Sequence, residues 1–250
     1  MPVIEVNKKK NIYWVEINRP DSDNAIDFEV MEKLEKLLDE VEKNGIRVLI
    51  LSGSGHKYFV TGANVRAFAH LKTGEEGKLM ASRMSAILRR LETNKFWTMA
   101  CVNGEVSGGG CELLLAFDFA IASKTATFAF NHSRFSLPPA WGGITRLVER
   151  VGRSRALEWL GSNQVISSEE AFQTGLINKL SITSELRRNT WEWALNLARV
   201  EPDLIEELKN GTRIALDSTR EASLKRELNQ FARFWASDQH QGKVIEYLKK

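Results

Sequence analysis

The stretch NGEVSGGGCELLLAFDFAIAS, residues 103–123, sets three consecutive glycines (Gly108, Gly109, Gly110) just ahead of an acid, Glu112. An apolar run, Trp97–Val102, precedes it, and a helix-forming run, Cys111–Ala116, follows the glycines directly. Glycines at such a junction let the backbone adopt unusual dihedrals and let a ligand approach the main chain closely. The start of a helix adds unpaired N–H groups and the positive end of the dipole, so the junction suits negative charge. It is not a phosphate loop of either common kind, because neither G-x-x-x-x-G-K-[ST] nor G-x-G-x-x-G is present. Glu112 lies three residues after Gly109, nearly one helical turn on, and projects from the same face. A carboxylate there is poorly placed to bind phosphate. It is well placed to move a proton on a substrate whose oxygen becomes negative. The same glycines also suit tight helix–sheet packing, with Glu112 as a first-turn partner of the dipole, and both readings stand at this level.

A second segment, Gly62-Ala63-Asn64, follows the strand and loop RVLILSGSGHKYFVT and opens another helix. Taken alone it is an ordinary capped turn. Taken with the glycine segment it supplies a second main-chain N–H, and two such amides converging on one oxygen form an oxyanion hole.

The elements that must position these residues alternate. Val3–Val6 and Ile12–Ile17 are β-type runs that form a hairpin, with Lys8-Lys9-Lys10 in its solvated turn. Arg19–Asn24 is dense in turn formers. Asp27 caps a helix whose apolar residues Val30, Met31, Leu34, Leu37, Leu38 and Val41 share a stripe, and Asn44-Gly45 ends it. Arg47–Leu51 is a continuous apolar strand, as in a sheet covered on both faces. The spacing predicts an amphipathic helix from about Glu75 to Leu91, then strands at Trp97–Val102, Phe119–Ala122 and Thr127–Phe130. From Thr145 onward the pattern is helical, with a capping box at Ser167–Glu170. This is an α/β fold: a core over residues 1–185 and a helical C-terminal part over 186–250.

Composition sets outer bounds. The chain has 250 residues, 43% hydrophobic and 27% charged, as expected of a folded globular protein that needs no disulfide or metal to hold its core. A net charge of +3 is too small to argue for nucleic acid. No apolar run is long enough to span a membrane, and the first residues carry no signal or transit pattern. Cys101 and Cys111 sit in apolar or glycine-rich surroundings without a CxxC, which reads as reduced core thiols in a cytoplasmic protein.

Several segments together resemble the enoyl-CoA hydratase/isomerase (crotonase) family. They are NRPDSDNAI, RVLILSGSGHKYFVTGANVRAF, ACVNGEVSGGGCELLLAFDFAIAS, LPPAWGGITRLVERVG and VISSEEAFQTGLINKL, in the family's order and spacing, covering roughly residues 3–182. The resemblance implies a spiral of β-β-α turns. It implies an acyl-CoA thioester as substrate, bent so that its carbonyl oxygen meets the amides of Ala63 and Gly109 as an enolate develops. CoA would lie against Asn24, Ala25 and Ile26 and against Thr61 and Gly62. Coenzyme A enters as part of the substrate, and no separate cofactor or metal is implied.

Hydratases of the family use two glutamates. The first is Glu112 by position, and the second position, aligned back from Gly142-Gly143 and Arg146-Leu147, holds His132. Histidine transfers protons but lacks a carboxylate's charge and paired acceptor oxygens. His132 is therefore either a working acid or base or a non-catalytic pocket residue beside Glu112 as sole base, unless the alignment is out of step there. Ser107, Ser133 and Arg134 lie nearby in sequence. Enoyl-CoA hydration is the family's default reaction. Isomerisation, decarboxylation and thioester hydrolysis are the alternatives, with a catalytically weak acyl-CoA binder as the non-enzymatic one. The aromatics Phe68, Phe96, Trp97 and Trp141 are expected in the core or the acyl pocket, core being the simpler assignment. His240 is expected at the surface, and Lys249 and Lys250 either meet the CoA phosphates or fray. The family also implies a homo-oligomer, a trimer or a hexamer.

Overall fold

In the computed structural model, which describes residues 2–235 together with 237, 240 and 242, the apolar run near residue 50 lies inside a six-stranded sheet. Lys249 and Lys250 lie outside the described residues. In chain order the first elements are β1 (Ile4–Lys9), β2 (Ile12–Ile17), α1 (Phe28–Asn44), β3 (Val48–Gly53), β4 (Tyr58–Val60), α2 (Val65–Phe68) and α3 (Gly74–Thr93). Next come β5 (Trp97–Val102), β6 (Glu105–Ser107), α4 (Gly109–Leu115), β7 (Phe119–Ser123), β8 (Thr127–Ala129), α5 (Gly143–Val151) and α6 (Arg153–Ser162). The described chain closes with β9 (Ile166–Ser167), α7 (Ser168–Gln173), β10 (Lys179–Ser181), α8 (Leu186–Leu197), α9 (Pro202–Asp217) and α10 (Arg220–Trp235).

The larger sheet has the order β1-β2-β3-β5-β7-β10, with only the β1–β2 pair antiparallel. The smaller sheet runs β4-β6-β8-β9. Successive passes of the chain, β3–β4, β5–β6 and β7–β8, each leave one strand in either sheet, and this is the expected spiral of β-β-α turns. Two short strands depart from the sequence reading, which has loops at β4 and β6. Three residues are too few to show a period of two. The lysine run differs as well. Lys8 and Lys9 belong to β1 and only Lys10, with φ 57°, lies in the turn, while Lys8 pairs with Glu40 on α1.

The main core lies between the larger sheet and helices α1 and α3. Asp27 caps α1 by accepting from Val30 N at 3.1 Å, and Gly45 ends it in the left-handed region. The stripe Val30, Met31, Leu34, Leu37, Leu38 and Val41 is buried, as are Met84, Ile87, Leu88 and Leu91 of α3. Arg83 on α3 grips Glu35 on α1 at 2.9 and 2.6 Å. Side chains alternate along a strand, so β5 offers Ala100 and Val102 to this core and Met99 and Cys101 to the other face. There α8 packs on the sheet, with Thr190 Oγ1 3.4 Å from Cys101 Sγ. The compact unit that holds both sheets therefore runs to Pro202 and takes in α8, which the sequence reading groups with the helical part. Helices α9 and α10 fall in a second unit, where Arg226 pairs with Glu207.

Burial pushes the Cys101 thiol up to about 11 and raises that of Cys111 further. A thiol reacts as its thiolate, so native protein at pH 8 should release less than about one-tenth of a thiol equivalent to Ellman's reagent. Both should titrate once the chain is unfolded in guanidinium.

Candidate active site

The two segments singled out by sequence meet because the strands that lead into them are neighbours. In the smaller sheet β4 pairs in parallel with β6, Tyr58 opposite Glu105 and Val60 opposite Val106. Both chains leave their strands at the same end, one into 61–64 and the other into α4. The fit there is main chain on main chain. A Cβ on Gly110 would lie 2.7 Å from the carbonyl carbon of Val60, and one on Gly62, where φ is +97°, would lie 2.7 Å from Gly109 N. No side chain has room at either position. Ile26 completes the corner by bridging to Ala63: its N–H donates to Gly62 O at 2.7 Å, and Asn64 N donates to Ile26 O at 2.8 Å. Among the described residues, neither Ala63 N–H nor Gly109 N–H meets an acceptor. Two unengaged amides thus stand at adjoining strand ends.

Glu112 is 2% exposed. Its Oε2 accepts from the main-chain N–H groups of Trp141 and Gly143, at 2.7 and 2.9 Å, and its Oε1 lies 3.1 Å from His132 Nε2. A carboxylate only accepts, so the Nε2–H tautomer of His132 is the one that bonds to it. Hydrogen bonds to a charged group contribute about 1.5–3 kcal/mol each, and together such bonds offset the desolvation of the acid. His132 comes from the 3-10 turn Asn131–Phe135, and its Nδ1 is enclosed without a partner. The 141–143 loop is held tightly. A Cβ on Gly143 would lie 2.6 Å from Glu112 Cγ. Arg146 donates to Trp141 O at 2.7 Å and binds Glu92 of α3.

The residues expected to touch CoA fall in one neighbourhood, but not all of them offer a side chain. Asn24 is buried and fully engaged. It accepts from Arg19 N and Ser54 Oγ and donates to Ser54 O and Tyr58 O. Ala25 and Ile26 are also buried. Thr61 donates through Oγ1 to Asp23 O at 2.9 Å. What this region presents is mostly main chain. Ser107 Oγ reaches Thr61 O at 3.3 Å, close to the amides. Ser133 and Arg134 instead bond to Leu160 and Asn163 at the end of α6. Phe68, Phe96, Trp97 and Trp141 are all buried. Sequence reasoning missed the two amides that hold Glu112. The signal lay in the Gly142-Gly143 pair, whose first member has φ +91°. No cluster of potential metal ligands occurs among the described residues.

A family model described as enoyl-CoA hydratase/isomerase matches residues 7–250. A short-chain-enoyl-CoA hydratase of Clostridium acetobutylicum is 28% identical over 98% of this chain and 94% of its own length. A crotonyl-CoA hydratase of Syntrophomonas wolfei is 33% identical over 73% of this chain and 70% of its own. In fold, the crystal structure of an enoyl-CoA hydratase from Bacillus anthracis superposes with a TM-score of 0.93 at 24% identity, over 99% of this chain and 96% of that one.

The corner between Val60 and Gly110 makes a stability prediction. Gly110→Ala forces Cβ into the Val60 carbonyl and should lower Tm by roughly 10 °C, the scale of a severe core clash. Gly77→Ala, in open space on α3, should leave Tm unchanged or raise it slightly. Differential scanning calorimetry of the two variants reads both effects.

Proposed function

This chain belongs to the enoyl-CoA hydratase/isomerase family, and from that premise we propose that it hydrates 2-enoyl-CoA thioesters. The observation that carries the reading is a buried carboxylate, Glu112, one turn along the helix from an unengaged amide at Gly109, with a second such amide at Ala63. The thioester oxygen would take both N–H groups. As water adds to the β-carbon, the C=C electron pair moves through the α-carbon onto that oxygen, and the amides hold the enolate. The Glu112–His132 pair takes the water's proton and returns a proton to the α-carbon, so one water is added in all. CoA would lie along Asn24, Ala25, Ile26, Thr61 and Gly62, met chiefly by main-chain groups, and the reaction needs no cofactor beyond the CoA of its substrate.

One observation favours a second reading. With His132 opposite it, Glu112 faces no second carboxylate among the described residues, and one acid is enough to shuttle a single proton between carbons in an isomerisation that adds no water. Crotonyl-CoA separates the two readings by the mass of the product: a gain of one water marks hydration, and an unchanged mass with a displaced double bond marks isomerisation. Loss of its conjugated-thioester absorbance reports turnover by either route, whereas binding without turnover on a panel of enoyl-CoA esters would leave only a binder.

No helix among the described residues is long and apolar enough to cross a membrane. Both cysteines are unpaired, which fits a reducing compartment. We place the chain in the cytoplasm as a homotrimer or hexamer, a stoichiometry that light scattering on the purified protein reads directly.

Glu112→Gln should lower kcat for crotonyl-CoA by roughly 10²–10⁴-fold, the usual worth of a general acid or base, while calorimetry shows CoA-ester binding retained. His132→Ala should lower kcat similarly if the pair acts as a unit. A His132→Ala enzyme with full kcat would remove the histidine from the chemistry.

A further inference from the structure

Trp141 touches both halves of the site. Its main-chain N–H donates to Glu112 Oε2 at 2.7 Å. Its six-membered ring lies directly against Gly109, where a Cβ would fall 2.6 Å from Cη2 and 2.9 Å from Cε3. Gly109 and Glu112 are three residues apart on α4 and share a face, so the indole packs at the Gly109 end of the face that carries the acid. It is 3% exposed. Its carbonyl is fixed by Arg146, which is fixed in turn by Glu92.

In the reaction proposed above, the thioester oxygen sits at Gly109 N–H and the reacting carbons lie toward Glu112. An acyl chain that continues past those carbons along this face of α4 would meet the indole. We infer that the Trp141 ring closes the acyl end of the pocket and restricts the substrate to short 2-enoyl chains. The inference rests on the acyl-CoA reading of the site and adds the length of chain that it takes. The side chain is separable from the backbone role, because any residue except proline supplies the N–H to Glu112.

A ring that merely fills the core would, when cut back, weaken the enzyme equally toward every substrate. A ring that ends a pocket changes the ranking among substrates. Fit of a hydrophobic pocket to chain length is worth about 10–200-fold per methylene, so the shift should be easy to read. The test compares Trp141→Leu and Trp141→Ala with the parent enzyme on crotonyl-CoA and 2-octenoyl-CoA. Calorimetric binding of butyryl-CoA and octanoyl-CoA runs in parallel and needs no turnover.

The parent should favour the short chain in both measurements. Each variant should move the octenoyl-to-crotonyl ratio of kcat/KM, and the corresponding ratio of affinities, by about tenfold or more toward the long chain. The leucine variant, which leaves the smaller hole, serves if the alanine variant does not fold. A parent enzyme indifferent to chain length overturns the inference, as does an unmoved ratio in folded variants. Should the parent bind acyl-CoA but turn nothing over, hydration fails while the affinity ratios still decide the role of Trp141. Should it bind no acyl-CoA at all, both readings fall.

Discussion

A carboxylate that is almost wholly removed from water has to be satisfied by the protein around it, and at Glu112 the satisfaction is distributed. One oxygen is held by the amides of Trp141 and Gly143, the other by the imidazole of His132. Those donors come from two separate segments, a 3-10 turn and a glycine loop, and each is tied elsewhere in turn. Arg146 fastens the loop to α3 through Glu92, and α3 is fastened to α1 through Arg83 and Glu35. Stripping a partner from a buried charge typically costs about 3–5 kcal/mol. The packing of α3 and the conformation of 141–143 are therefore linked to the buried acid.

The other half of the site depends on sheet topology instead. Ala63 and Gly109 are far apart in sequence, yet each follows a strand of the smaller sheet, and those strands are hydrogen-bonded neighbours running the same way. The repeating pass of the spiral brings equivalent points of successive turns side by side. Two main-chain N–H groups from unrelated segments are then set at adjoining strand ends without a dedicated loop to carry them. The glycines at 62 and 110 let the two main chains approach closely enough for this.

Much of this was legible in the sequence wherever the information is carried by side-chain type. Asp27 and Asn64 announce helix starts because their side chains accept from the first-turn amides, and both do so. The apolar runs of β3 and β5 announce strands covered on both faces. Glu112 one turn after Gly109 announces an acid beside a main-chain donor. The partners of Glu112 were hidden for the opposite reason: an amide is the same group in tryptophan as in glycine, so no residue letter marks it. Asn24 shows a further limit. Its type suits a ligand contact, but its direction is set by the loop, whose own polar groups use it fully. Strands β4 and β6 escaped because three residues carry too little pattern.

Trp141 contributes to the site through two chemically independent parts, an amide that nearly every residue possesses and a ring that few do. Such a position has unusual evolutionary latitude. A lineage can exchange the side chain by single codon changes, while the hydrogen bond to Glu112 is protected by the peptide bond itself. Gly109, Gly110 and Gly143 have no comparable freedom. Variation among descendants of this chain should therefore pool at 141 and stay sparse at the glycines around it.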